Sequence, residues 1–147
     1  MIFQNRILIV GCVAWLISQI VKMVIYLIIN KRLVWERLLG DGGMPSSHSA
    51  TVTAVAVTTG LRCGWDSPIF AVAAMLALIV MHDAMGVRQE TGKQARVINN
   101  MVELINSMGR GELTLEETLK EFVGHNRRQV VVGALLGGAV ALAANAM

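Results

Sequence analysis

Apolar residues arrive in four long blocks separated by polar stretches, and that spacing predicts a helical chain threaded several times through a bilayer. The first block runs from Ile7 to Ile29, matching the roughly 20 residues that a spanning helix needs. It is longer than the apolar core of a secretory leader and lacks a small-residue cleavage site, so a retained helix is expected. The second opens at Pro45 and reaches Cys63, the third covers residues 68–87, and the fourth covers 129–146. Proline suits a first helical turn, where its missing N–H leaves no bond unmade.

Between the third and fourth blocks lies the one long polar stretch, residues 89–128. Val97, Met101, Leu104 and Met108 recur there at helical spacing before Gly109 and Gly111 interrupt the pattern. A second short helix is expected where Thr114 and Glu117 form a capping box, Leu115, Leu119, Phe122 and Val123 make a stripe, and Gly124 ends it. Both stripes are expected to pack on the membrane domain. Gly133 and Gly137, four residues apart, suit close approach of another helix to the last span. The predicted fold class is all-α. It is a polytopic membrane helical bundle of about four transmembrane helices plus two short amphipathic helices in the loop before the last span, with residues 1–147 forming a single domain.

Composition agrees with this pattern. Hydrophobic residues make up 54% of the chain and mean hydropathy is +0.57, more apolar surface than a core of this size can hide. The formal charge of +3 does not point to nucleic acid, because the basic residues flank the spans and only 5% of residues are aromatic. Cys12 and Cys63 show no metal-ligand spacing and read as small buried hydrophobes. If all four blocks cross, Arg6 and Arg62 fall on one face and every other lysine and arginine on the opposite face. The basic face is then expected to be cytoplasmic, in a bacterial cytoplasmic membrane.

The same topology gathers the chemistry at that basic face. His48 stands at the start of the second span, Arg88 at the end of the third and His125 just before the fourth, with Lys22 about two turns from the end of the first. Polar groups that a membrane helix would otherwise avoid thus converge at one level. A helix start with Ser46 and Ser47 offers N–H groups and a positive dipole end to a phosphate, and Gly42 and Gly43 let the backbone come close. Lys93, beside Gly92, is expected to line the same site. Two histidines flanking a bound phosphorus can serve as nucleophile and as acid for the leaving oxygen. Asp83, near the end of the third span, needs a partner such as Arg88 or Lys22 and is expected to support the site or form a structural ion pair.

At these residues the chain resembles a known group. Pro45-Ser46-Ser47-His48 looks like the Pro-Ser-Gly-His motif of the type-2 phosphatidic acid phosphatase superfamily, which also contains the vanadium-dependent haloperoxidases. The longer strings GGMPSSHSA (42–50), DAMGVRQETGKQA (83–95) and the Gly124-His125 pair followed by a glycine-rich helix resemble its divergent branch. The resemblance implies that His125 attacks phosphorus to form a phosphohistidine and that His48 protonates the leaving group. It implies that Arg88 and Lys22 hold phosphate oxygens, with hydroxyl and backbone donors from Ser46 and Ser47. No metal or other cofactor is implied.

Three features depart from the superfamily pattern, the first being the 36 residues that separate Arg88 from His125 where the superfamily has a few. No Arg-Pro pair follows Lys22, and Gln129 stands four residues after His125, where the superfamily keeps the acidic residue that orients the nucleophile. Glu121 or Asp83 is a candidate to supply that charge. The expected function is a membrane-embedded phosphatase acting on a lipid phosphate or diphosphate among membrane lipids. The alternative is a non-catalytic protein that binds phospholipid or phosphate, or regulates a partner. Four spans are fewer than the six usual in the superfamily's membrane enzymes, which leaves a homodimer sharing helices as an open expectation.

Overall fold

The computed structural model describes residues 4–31, 43–108, 119 and 125–146. Among these residues five helices follow one another: α1 (Arg6–Asn30), α2 (Ser47–Cys63), α3 (Pro68–Met85), α4 (Val87–Ser107) and α5 (Arg127–Ala146). The second predicted amphipathic helix, with its capping box and Gly124, lies outside the described residues.

Each boundary has a local cause. Asn5 caps α1 by accepting from the Leu8 N–H at 3.2 Å, and the helix ends where Lys31 takes a left-handed conformation with φ of 51°. Ser46, not Pro45, sets the start of α2. Pro45 follows a cis peptide bond outside the helix, while the Ser46 hydroxyl accepts from the Ser49 N–H at 3.3 Å, an N-cap that Pro cannot provide. At the far end Gly64, with φ of 92°, leads into a tight turn, and Ser67 caps α3 with Pro68 in its first turn. The third block breaks at Gly86, so the residues after Met85 belong to α4. The last helix begins two residues earlier than its apolar pattern suggests. Asn126 accepts from the Arg128 N–H at 3.1 Å and Gln129 reaches back to the Asn126 N–H at 2.9 Å, a capping box that starts α5 at Arg127.

The bundle is built around α2, which packs against α1, α3 and α5, whereas α4 touches only α3 among the described elements. The interior is made of small residues. Val10, Ala14, Ala54 and Ala141 form the buried cluster, and Ser18, Ser49, Thr58 and Thr59 are buried beside it. A Cβ on Gly133 or Gly137 would run into the carbonyl oxygens of Ser46 and Ala50, so α5 lies almost backbone to backbone on α2. Large apolar side chains point outward instead: Leu16, Ile28, Val72, Leu78 and Leu135 are all more than half exposed. An interior of small residues and an exterior of large apolar ones is the arrangement that lipid, not water, stabilises.

Among the described residues, three helical stretches are long and apolar enough to cross a membrane: Arg6–Asn30, the stretch beginning at Pro68, and Arg127–Ala146. The chain is an integral membrane protein by this count. The second predicted span is shorter, at 17 residues, and is diluted by Thr51, Thr53, Thr58 and Thr59, since it faces its neighbours more than lipid. The stripe on α4 does not pack on the membrane domain. Val97, Met101, Leu104 and Met108 are each more than half exposed, because α4 continues from the end of α3 and touches no other described helix; among its described residues the buried ones are Gly92 and Ala95, near its start. Farther along, the Asn99 carboxamide donates to the Leu119 carbonyl at 3.0 Å and accepts from the Leu119 N–H at 3.2 Å.

Candidate functional site

Three helix ends meet where the two histidines lie. The chain before α5 is held to the end of α3 by a bond from the His125 N–H to the Ala84 carbonyl at 2.9 Å. The start of α2 is held to α5 by a bond from the Ser46 N–H to the Gln129 carbonyl at 3.0 Å. These two backbone bonds join residues far apart in sequence and bring the imidazoles together. The His48 and His125 ring centroids are 5.9 Å apart, with the planes inclined at 61°. His125 is almost wholly buried, at 2% exposure, and His48 is partly buried.

The surroundings of His125 select its tautomer. The Gln129 side-chain oxygen accepts from the Asn126 N–H, which fixes that atom as the carbonyl end of the amide. The same oxygen lies 3.2 Å from His125 Nδ1, so a hydrogen bond there requires the proton on Nδ1. The lone pair of the neutral ring then resides on Nε2. Gln129 therefore sets the tautomer that an acidic partner would set, though without a negative charge.

Lys22, on α1, lies against Gly43, a few residues before His48 in the chain. It is 4% exposed, and a Cβ on Gly43 would lie 3.1 Å from its Cγ, so the lysine stem passes directly beneath the Gly43 backbone. Gly43 has φ of 107°, a conformation other residues rarely adopt, which adds a second reason for glycine there. Ser47, 5% exposed, occupies the first position of α2 beside His48.

Other sequence-predicted residues fare differently. Ser46 is fully buried, and its hydroxyl accepts from both the Ser49 N–H and the Ser49 hydroxyl. Its own N–H is committed to Gln129, so it acts as a cap and a tie between helices, and only its hydroxyl proton remains to be offered to a ligand. Lys93 sits on the side of α4 turned away from buried Gly92 and Ala95, where its ammonium pairs with Glu90 at 2.7 Å and both side chains are well exposed. An exposed ion pair along the helix, not the histidine cluster, is where the structure places it. Asp83 is half-buried one residue before Ala84. Arg88 belongs to the first turn of α4, and its side chain, like Gly42 and Glu121, lies outside the described residues. Among the described residues no group of His, Cys, Asp and Glu is placed to hold a metal ion.

Sequence reasoning missed Asn126, although Asn126-x-x-Gln129 is a readable capping-box pattern. It also missed Gln19, which is 5% exposed, lies one turn before Lys22 on the inward side of α1, and lines a cleft with His48 and Ser47.

Residues 3–140 match the pattern of the Divergent PAP2 family, the divergent branch of the phosphatidic acid phosphatase type 2 superfamily. The chain belongs to this family. Among curated proteins, the divergent PAP2 protein described here is similar to the uncharacterized membrane protein YuiD of Bacillus subtilis (strain 168), at 40% identity over 132 residues and 84% of each chain. No solved structure matches it. The match takes in α1 through most of α5, so Lys22, His48 and His125 all fall within the family's pattern.

Proposed function

We propose that this divergent PAP2 protein is a membrane-embedded phosphatase that hydrolyses a lipid phosphate or diphosphate through a phosphohistidine on His125. The observation that carries the reading is the chain from the Asn126 N–H through the Gln129 oxygen to His125 Nδ1, which leaves the lone pair on Nε2, within one ring contact of His48.

In the first step His125 Nε2 attacks phosphorus, a P–N bond forms, and the P–O bond to the leaving group breaks, which is the lipid alcohol of a monophosphate or the lipid phosphate of a diphosphate. The leaving oxygen takes a proton from the His48 imidazolium. In the second step His48, now neutral, removes a proton from water as the water oxygen attacks phosphorus, releasing phosphate and restoring His125. Lys22 and the first-turn N–H groups of α2 supply positive potential for the phosphate oxygens, and Arg88 is assigned the same task from its place in the family motif. By the distribution of basic residues, this face is cytoplasmic.

One observation favours a second reading, a non-catalytic phosphate- or phospholipid-binding protein: the partner of His125 is an amide and cannot stabilise an imidazolium by charge. The test is turnover by the purified protein on a panel of lipid phosphates and diphosphates, with vanadate as competitor. Under the phosphatase reading, His125→Ala and His48→Ala each reduce turnover to background, and radiolabelled phosphate is trapped on the wild-type chain but not on His125→Ala. Vanadate-sensitive binding without turnover across the panel leaves the second reading.

A further inference from the structure

The cleft beside His48 does not end at the histidines. A cavity of about 430 Å³ opens between α1, α2 and α3, lined by Gln19, Ser47, His48, Thr51, Trp15 and Val80. A second hollow of about 450 Å³ continues along the α1–α2 seam past the shared residues Trp15 and Thr51 to Leu8, Gly11, Cys12 and Val55. Together they form one groove whose polar end holds His48 and Gln19 and whose other end is lined mainly by apolar side chains.

Gln19 is the unexplained member. Its side chain is 95% buried, being 5% exposed, and its Oε1 is buried with no hydrogen-bond partner among the described residues. A buried amide oxygen without a partner is costly and calls for a ligand. Whichever way the carboxamide is turned, it can bond a hydroxyl, which both donates and accepts. The groove also has a telling length. From Gln19 to Leu8 is 11 residues of α1, about 16 Å at the helical rise, close to half of the roughly 30 Å hydrocarbon thickness and hence to the depth of one leaflet.

We propose that this groove holds a hydrocarbon chain of the substrate and that Gln19 hydrogen-bonds a hydroxyl on the alcohol next to the scissile ester. Gln19 is thereby a specificity-determining residue, selecting lipid phosphates that carry such a hydroxyl over chains that lack one. The inference rests on the phosphatase reading for its reaction, but the groove can be tested by binding alone.

The probes are 1-acyl lysophosphatidate and its 2-deoxy analogue, alike in chain and charge and differing by one hydroxyl, each made also with bromine on the acyl chain. Binding is read as quenching of Trp15 by the brominated chain, a signal that Trp15→Phe identifies by removing it. Hydrolysis of the unbrominated pair is measured separately. The wild type is expected to bind, and to turn over by kcat/KM, the hydroxyl-bearing lipid about tenfold better. In Gln19→Leu, which keeps the side-chain bulk in an apolar setting, that ratio falls to about one. Equal binding of the two lipids by the wild type, an unchanged ratio in Gln19→Leu, or no quenching of Trp15 by either brominated chain overturns the proposal. Discrimination in binding with no turnover instead overturns the phosphatase reading and leaves the groove standing. Turnover with an unchanged ratio does the reverse.

Discussion

Gln129 is where chemistry and structure are most tightly joined. Replacing the carboxylate of a nucleophile–histidine–acid system by an amide can cost about 10⁴ in rate, largely because the amide can present the wrong end and stabilise the wrong tautomer. Here the Asn126 N–H holds the amide oxygen toward Nδ1, so the tautomer is already correct. Only the charge is missing. Gln129→Glu is therefore expected to raise kcat by about tenfold, the difference between a neutral and a charge-assisted hydrogen bond, and not by 10⁴. Steady-state kinetics on the best lipid phosphate checks it, and an unchanged or lower kcat counts against the role of Gln129. At Gly43, positive φ and the Lys22 stem act together. Gly43→Ala is expected to displace Lys22 and weaken vanadate inhibition by about tenfold, measured as the inhibition constant. At this scale the sequence brought His48 and His125 to one level through motif spacing and helix position, and their rings lie 5.9 Å apart. It was unreadable for Lys93, where the turn of α4 around buried Gly92 and Ala95 decides which way a side chain faces. Gln19 was hidden because one amide in an apolar block looks the same whether it faces lipid or a histidine.

Among the elements, the α2–α5 contact is the tightest and should be the least tolerant. A methyl group on Gly137 meets the Ala50 backbone, which cannot move without tilting a whole helix. Gly137→Ala is expected to cost about 1–3 kcal/mol, seen as a lower unfolding midpoint in detergent, with activity falling too because α5 carries Gln129. The opposite holds on α4. Its stripe is exposed, so Leu104→Ser should change bundle stability by no more than about 0.5 kcal/mol in the same assay. Helix existence was legible for all five described helices because each has a clear apolar period or block. Boundaries were less so. Pro45 suggested a helix start that the Ser46 cap sets instead, Gly86 divides what read as one block, and the Asn126 capping box starts α5 two residues early. The expectation that the α4 stripe packs on the bundle failed for a geometric reason: periodicity shows that a helix has an apolar side but not which surface that side meets.

For the whole molecule, membrane character follows from the outward placement of large apolar residues and from the family to which the chain belongs. The orientation proposed from charge can be tested with the two cysteines. Both were expected to be buried, but Cys63, which closes α2 at the end away from the histidines, and Cys12, on a membrane-spanning helix, are exposed, because each lies on the outer side of its helix. With the histidine face cytoplasmic, a membrane-impermeant maleimide added to intact cells should label Cys63 in a Cys12→Ala background; labelling only after lysis would place the histidines on the outer side. The two backbone bonds that close the site have a further consequence, one of time. The Ser46 and His125 amides are buried, lie just outside regular helix, and bond to carbonyls on other elements. Their hydrogens exchange with solvent only when a helix end separates from its neighbour. Amide exchange at these two positions is thus a clock for opening of the histidine site, and a ligand that bridges the helix ends should slow both hydrogens together.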